Sequence, residues 1–146
     1  MRVLIALSAA LSFLVIAPVS YMTFDTTPPY EYDAAGSYIV PRLTQAGHQI
    51  TVHWRLRRVN RICPGTITRT IVDAVTGVRT TYDPVPAAGV IELSDEELDR
   101  TFLLPQGIAP GRKLYYSDGA YGCNPLQRYW SPLRVRTPTL EFEILP

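Results

Sequence analysis

The sequence predicts an all-β domain, folded as a two-sheet sandwich, preceded by one N-terminal transmembrane helix. Three observations predict it. Residues 3–24 form an apolar run broken only by Ser8, Ser12, Ser20, Thr23 and one proline, Pro18. A helix rises about 1.5 Å per residue and a bilayer core is roughly 30 Å thick, so about 20 such residues span it. The chain's thirteen prolines, nine glycines and nine tyrosines, with abundant Thr and Val, favour short strands joined by tight turns beyond the run. Several of the later segments also alternate apolar and polar residues, the period of a half-buried strand.

The chain divides into three parts: a signal-anchor or transmembrane helix over residues 1–24, an extended stalk over 25–41, and a β-sandwich ectodomain over 42–146. About 120 residues follow the run, enough for one domain with a buried core. The basic start and apolar core also fit a secretory signal, but the small-x-small cleavage site is poor. A cut after Ala17 places Pro18 directly behind it, and a cut after Ser20 leaves Pro18 inside the site. An uncleaved signal-anchor is therefore the first reading and a cleaved signal the alternative. Arg2 precedes the run while Asp25, Glu31 and Asp33 follow it, so the positive-inside tendency places the C-terminal domain outside the cytoplasm.

Residues 25–41 carry Pro28-Pro29 and several aromatics without a sustained period, which reads as a stalk leading into an edge strand. Ile50, Val52, Trp54 and Leu56 then alternate with Thr51, His53, Arg55 and Arg57 in the clearest strand of the chain. The alternation breaks at Arg57-Arg58, which predicts a bulge with Val59 turned inward. Residues 66–72 and 78–82 flank a loop ending in Gly77 and predict a hairpin. Residues 84–89 read as a turn and 90–93 as a short strand. Ser94 and Glu97 have capping-box spacing, which marks one helical turn or a polar β-turn. Strands are expected at 101–104, 113–117 and 139–145, the last with Leu140, Phe142 and Ile144 on one side, and 129–135 as an extended stretch beyond the second cysteine.

Cys63 and Cys123 are the whole thiol inventory, and an even pair in an exported chain predicts one disulfide. A tryptophan on an early strand, Trp54, with a disulfide between distant strands resembles immunoglobulin and fibronectin type III domains. The turn Pro110-Gly111-Arg112-Lys113-Leu114-Tyr115 is similar to the entry into a late strand in such sandwiches. The resemblance implies an immunoglobulin-like sandwich and no particular site residues.

Chemical motifs are sparse. Neither a Gly-x-Ser-x-Gly elbow nor a phosphate-cradling loop occurs. His48 and His53 lack metal-ligand spacing, and the carboxylates at 95–97 and 99 fit a solvated helix start better than a catalytic pair facing across a cleft. The chain is therefore expected to be no enzyme, with no catalytic residue, metal or cofactor. A formal net charge of +1 gives no pull toward nucleic acid.

Two clusters remain as candidate binding surfaces. Arg55, Arg57, Arg58 and Arg61, joined by Arg69 and Arg79 across the hairpin, form a basic patch suited to an acidic partner. Tyr121, Asn124, Gln127, Tyr129 and Trp130 combine aromatic rings with amides beside Cys123, a composition that suits protein surfaces and sugar rings alike. The expected function is a non-enzymatic, membrane-anchored interaction or assembly module in a bacterial envelope, encoded by host or phage, with its C-terminal domain outside the inner membrane and an envelope protein as partner. A glycan-binding domain for cell-wall or surface polysaccharide is the alternative, and a secreted protein with a cleaved signal the second alternative.

Overall fold

The computed structural model describes residues 2–87 and 97–146, with side chains from Ser12 onward. In chain order its elements are α1 (Arg2–Phe24), β1 (Tyr30–Val40), β2 (Leu43–Gln45), β3 (Gln49–Val59), β4 (Gly65–Asp73), β5 (Arg79–Thr81), β6 (Val85–Pro86), β7 (Glu97–Leu103), β8 (Gly111–Tyr121), α2 (Pro125–Tyr129), β9 (Leu133–Arg136) and β10 (Leu140–Leu145). The strands make two sheets, as the composition predicts. One has the order β1-β3-β7; the other runs β2-β10-β8-β4-β5, with β6 on β4 and β9 on β8. All pairings are antiparallel except β2 with β10.

Among the described residues no helix is long and apolar enough to cross a membrane. α1 itself is continuous over 23 residues through Pro18. From Phe13 to Phe24 its apolar side chains stay mostly uncovered, Phe13 at 73% and Phe24 at 80% exposure.

The core lies between the sheets. Ile50, Val52, Trp54 and Leu56 turn inward from β3, and Leu140, Phe142 and Ile144 from β10, each set separated by outward polar residues. This is the alternation read from the sequence. Trp54 lies edge-on to Tyr32 at 5.6 Å and stacked on Tyr115 at 6.0 Å, while Tyr115 stacks on Phe102 at 5.3 Å. The expected bulge is present: Tyr32 pairs with Leu56 and Glu31 with Arg58, leaving Arg57 as the extra residue on β3.

The hairpin also forms. Val72 pairs with Arg79, and Asp73 Oδ1 accepts from the amides of Val75 at 3.0 Å and Thr76 at 2.7 Å. Gly77 closes the loop at φ 73°, a left-handed conformation that side chains disfavour.

Residues 30–40 correct the stalk reading. Tyr30 and Ile39 are buried, so β1 is part of the core and only the segment from Asp25 to Pro29 connects it to α1. The period was masked because the β1–β3 register shifts between Asp33 and Tyr38. There Ser37 Oγ, rather than a backbone group, accepts from the Arg55 amide at 3.0 Å. The segment 129–135 is likewise corrected, since it ends the short helix α2 before entering β9. The expected strand at 90–93 and most of the Ser94–Glu97 capping box lie outside the described residues. Glu97 itself opens β7, and no helical turn follows it.

Lys113 is buried at 1% exposure and its ammonium is paired with the Asp73 carboxylate. That contact, reinforced by the Thr76 and Val75 amides, holds the Asp73 carboxyl below the usual carboxylate range. A carboxyl depressed in the folded state contributes stability above its unfolded pKa of about 4 and loses it as pH falls through the folded value. At neutral pH the Asp73→Asn variant is expected to unfold at lower urea concentration than the parent. The gap should narrow progressively as the titration is repeated below about pH 4 and close only below the folded value; a gap that does not narrow in acid would assign the effect to the loop hydrogen bonds alone.

Candidate functional site

The aromatic-amide cluster is built around the disulfide. Cys63, between β3 and β4, is bonded to Cys123, between β8 and α2, with Cα atoms 4.8 Å apart. Asn124 caps α2, its Oδ1 accepting from the Gln127 amide at 2.9 Å, and Pro125 occupies the first turn, where its missing N–H leaves no donor unsatisfied.

The five candidate residues of this cluster have separate roles. Tyr121 is 1% exposed and packs edge-on to Tyr30 at 5.3 Å, so it belongs to the core and not to an exposed platform. Gln127 is 4% exposed: its Oε1 accepts from the Cys123 amide at 3.2 Å and its Nε2 donates to the Asp25 carbonyl at 2.7 Å. Asn124 Nδ2 donates to the Met22 carbonyl at 3.2 Å. The amides therefore tie the end of α1 to the domain instead of lining a platform. Tyr129 and Trp130 are exposed, with rings 6.2 Å apart in an edge-on arrangement.

The tie has a second half. Arg61 forms an ion pair with Asp25 and also donates to the Thr27 carbonyl. This pairing lowers the Asp25 pKa. Asn60 Nδ2 donates to the Pro28 carbonyl at 2.9 Å. The last turn of α1 and the connection to β1 are thus held from two sides, by α2 and by the residues after β3.

The basic patch is smaller than expected. Arg55, Arg57 and Arg58 are exposed on β3, but Arg61 is engaged with Asp25 and Arg79 lies on the other sheet. Arg69 shares the inward face of β4 with Ile67 and Ile71, and its guanidinium lies 5.2 Å from the Tyr82 ring and 5.0 Å from Phe102. The patch has acidic neighbours: Asp33 and Glu97 flank Arg55 across the two ladders, and Glu31 pairs with Arg58.

Beside it lies a group that composition did not reveal. His53 Nδ1 is 2.6 Å from Asp99 Oδ1, Tyr38 stacks on the imidazole at 4.6 Å, and the hydroxyls of Thr51 and Thr101 are 2.9 Å apart. The alternation in β3 shows that His53 shares a face with Arg55 and Arg57, but its partners come from strands whose register the sequence does not state. Among the described residues no group of three or more His, Cys, Asp or Glu could hold a metal ion.

No protein-family model and no curated protein sequence matches the chain. Among solved structures it is similar to the Pseudomonas fluorescens alkylpurine DNA glycosylase AlkC bound to DNA containing an abasic site analog, at 12% identity with a TM-score of 0.50. The alignment covers 81% of this chain but only 31% of the glycosylase chain. At that identity the likeness is one of fold alone.

Proposed function

We propose that the chain is a non-enzymatic, membrane-anchored β-sandwich of the bacterial envelope, with α1 in the inner membrane and the sandwich outside the cytoplasm as an interaction or assembly module. The observation that carries this reading is how α1 meets the domain. Its apolar side chains from Phe13 to Phe24 are mostly exposed, while Met22 in its last turn and Asp25 and Thr27 just beyond it are fastened by Asn124, Gln127 and Arg61. Apolar residues distributed around a helix call for an apolar surrounding. In the sequence the run is long enough for a bilayer. Tyr129 and Trp130 lie on the segment that fastens the helix end, which would put them at the membrane–water boundary, where such rings concentrate. The two-sheet core around Trp54 supports an immunoglobulin-like variant of the sandwich.

The surface left for a partner is the outer face of β1-β3-β7, carrying Tyr38, His53, Arg55, Arg57 and Asp99. Aromatic area with charges of both signs suits a protein surface. The glycan reading loses Tyr121 and Gln127 from its platform, because both are buried, and keeps Tyr129 and Trp130.

When the full chain is expressed in a bacterium, its full-length mass is expected in the membrane fraction, resistant to alkaline carbonate, with both cysteines refractory to alkylation until reduced. A soluble chain with two reactive thiols would overturn the reading. A shortened mass in the periplasm would replace the anchor by a cleaved signal. Capture of one envelope protein that is lost on Arg57→Ala supports the partner face, whereas binding to purified sacculi that is lost on Trp130→Ala would move the assignment to glycan.

A further inference from the structure

Two arginines sit where the strand alternation requires core residues. On β4 Arg69 lies between Ile67 and Ile71; on β7 Arg100 lies between Leu98 and Phe102, both of which are buried. Both arginines line an interior cavity of ≈ 50 Å³ between the sheets, walled by Tyr32, Trp54, Tyr115 and Tyr121. Arg100 donates from Nη1 to the Asp99 carbonyl at 2.8 Å. Among the described residues Arg69 Nε and Arg100 Nη2, both buried atoms, have no hydrogen-bond partner. Among the described residues neither arginine forms an ion pair. Two cations partly withdrawn from water, with no counter-charge among the described residues, are unfavourable, and so are unpaired buried N–H groups.

We propose that this cavity is a binding site for a small oxyanion, a carboxylate or phosphate group, gripped by Arg69 and Arg100. A guanidinium presents parallel N–H donors that match such a group, and a low-dielectric setting strengthens the contact. The free Nε and Nη2 supply donors from opposite sheets. Tyr32 adds a phenol whose pKa burial pushes up to about 12, so it stays protonated and able to donate. A single water needs about 10–15 Å³, so the cavity holds a few waters or one compact oxyanion rather than a sugar ring or a lipid. Both arginines are only partly covered, which leaves a route in from solvent. The inference is independent of how α1 is placed.

The test titrates acetate and inorganic phosphate, at constant ionic strength against chloride, into the full chain in detergent, following the arginine side-chain N–H resonances and the thermal midpoint. The expected result is saturable perturbation of Arg69 and Arg100 with a raised midpoint. The oxyanion that saturates tells carboxylate from phosphate. Arg69→Met and Arg100→Met should each weaken binding by more than about tenfold, the scale of one lost charge-assisted hydrogen bond. Without ligand these variants should melt no lower than the parent, since each removes a partly buried cation with no ion-pair partner among the described residues. Arg100→Lys, which keeps the charge with fewer donors, should bind with intermediate affinity and serves if the methionine variants fail to fold. Arg42→Met, an exposed arginine with no assigned role, is the control. Absence of saturation with either anion, unchanged affinity in the cavity variants, or an equal loss in Arg42→Met would overturn the proposal.

Discussion

Replacing Cys63 and Cys123 together by alanine is expected to lower the unfolding free energy by about 4 kcal/mol, the chain-entropy value for the 60-residue separation the bond closes. Domains of this size have roughly 5–15 kcal/mol in total, so the variant should stand near the edge of stability. The bond also fixes Cys123 beside Asn124 and Gln127, which hold the end of α1. Losing it should therefore loosen two regions together: the loop after β8 and the helix junction. Urea unfolding of the parent with and without reductant, beside the double variant, provides the measurement. Coincident midpoints for the reduced parent and the variant, both well below the oxidised parent, are expected. A variant as stable as the oxidised parent would show that the bond contributes little beyond the packing around it.

Trp54→Ala should cost roughly 3–5 kcal/mol, the range for truncating a large aromatic in a packed core. Trp54 is 3% exposed and touches both sheets through Tyr32 and Tyr115. Its removal would join the space it leaves to the cavity at Arg69 and Arg100, which Trp54 already lines. Water reaching the arginines would then offset part of the loss, so the lower end of the range is expected. Near-UV circular dichroism and the urea midpoint report it. A shift below about 1 kcal/mol would mean that this part of the core is not tightly packed.

Where one strand face is apolar, the sequence was sufficient. The alternation from Ile50 to Leu56, its interruption at Arg57, the Gly77 hairpin and the Leu140, Phe142, Ile144 face all reflect a period of two that survives any choice of partner strand. β1 was less legible because its pairing bends around Ser37, which erases the period over a few residues. The candidate residues divide on a different ground. Tyr121 and Gln127 have polar tips that fit solvent or a satisfied interior equally well, and only their partners, Tyr30 and the Asp25 carbonyl, decide. Arg69 was within reach: grouping charges by nearness along the chain placed it with Arg57, whereas its parity with Ile67 and Ile71 marks it as inward.

The position of β10 bears on when this domain can fold. It lies between β2 and β8, so β2 joins that sheet only through it. A ribosome adding about 5–20 residues per second makes β10 on the order of ten seconds after β1. Until then the sheet is missing an inner strand and the core lacks three of its buried side chains, Leu140, Phe142 and Ile144. If the proposed placement outside the cytoplasm holds, a translocation pore that accepts only unfolded polypeptide would have that interval in which to engage the chain.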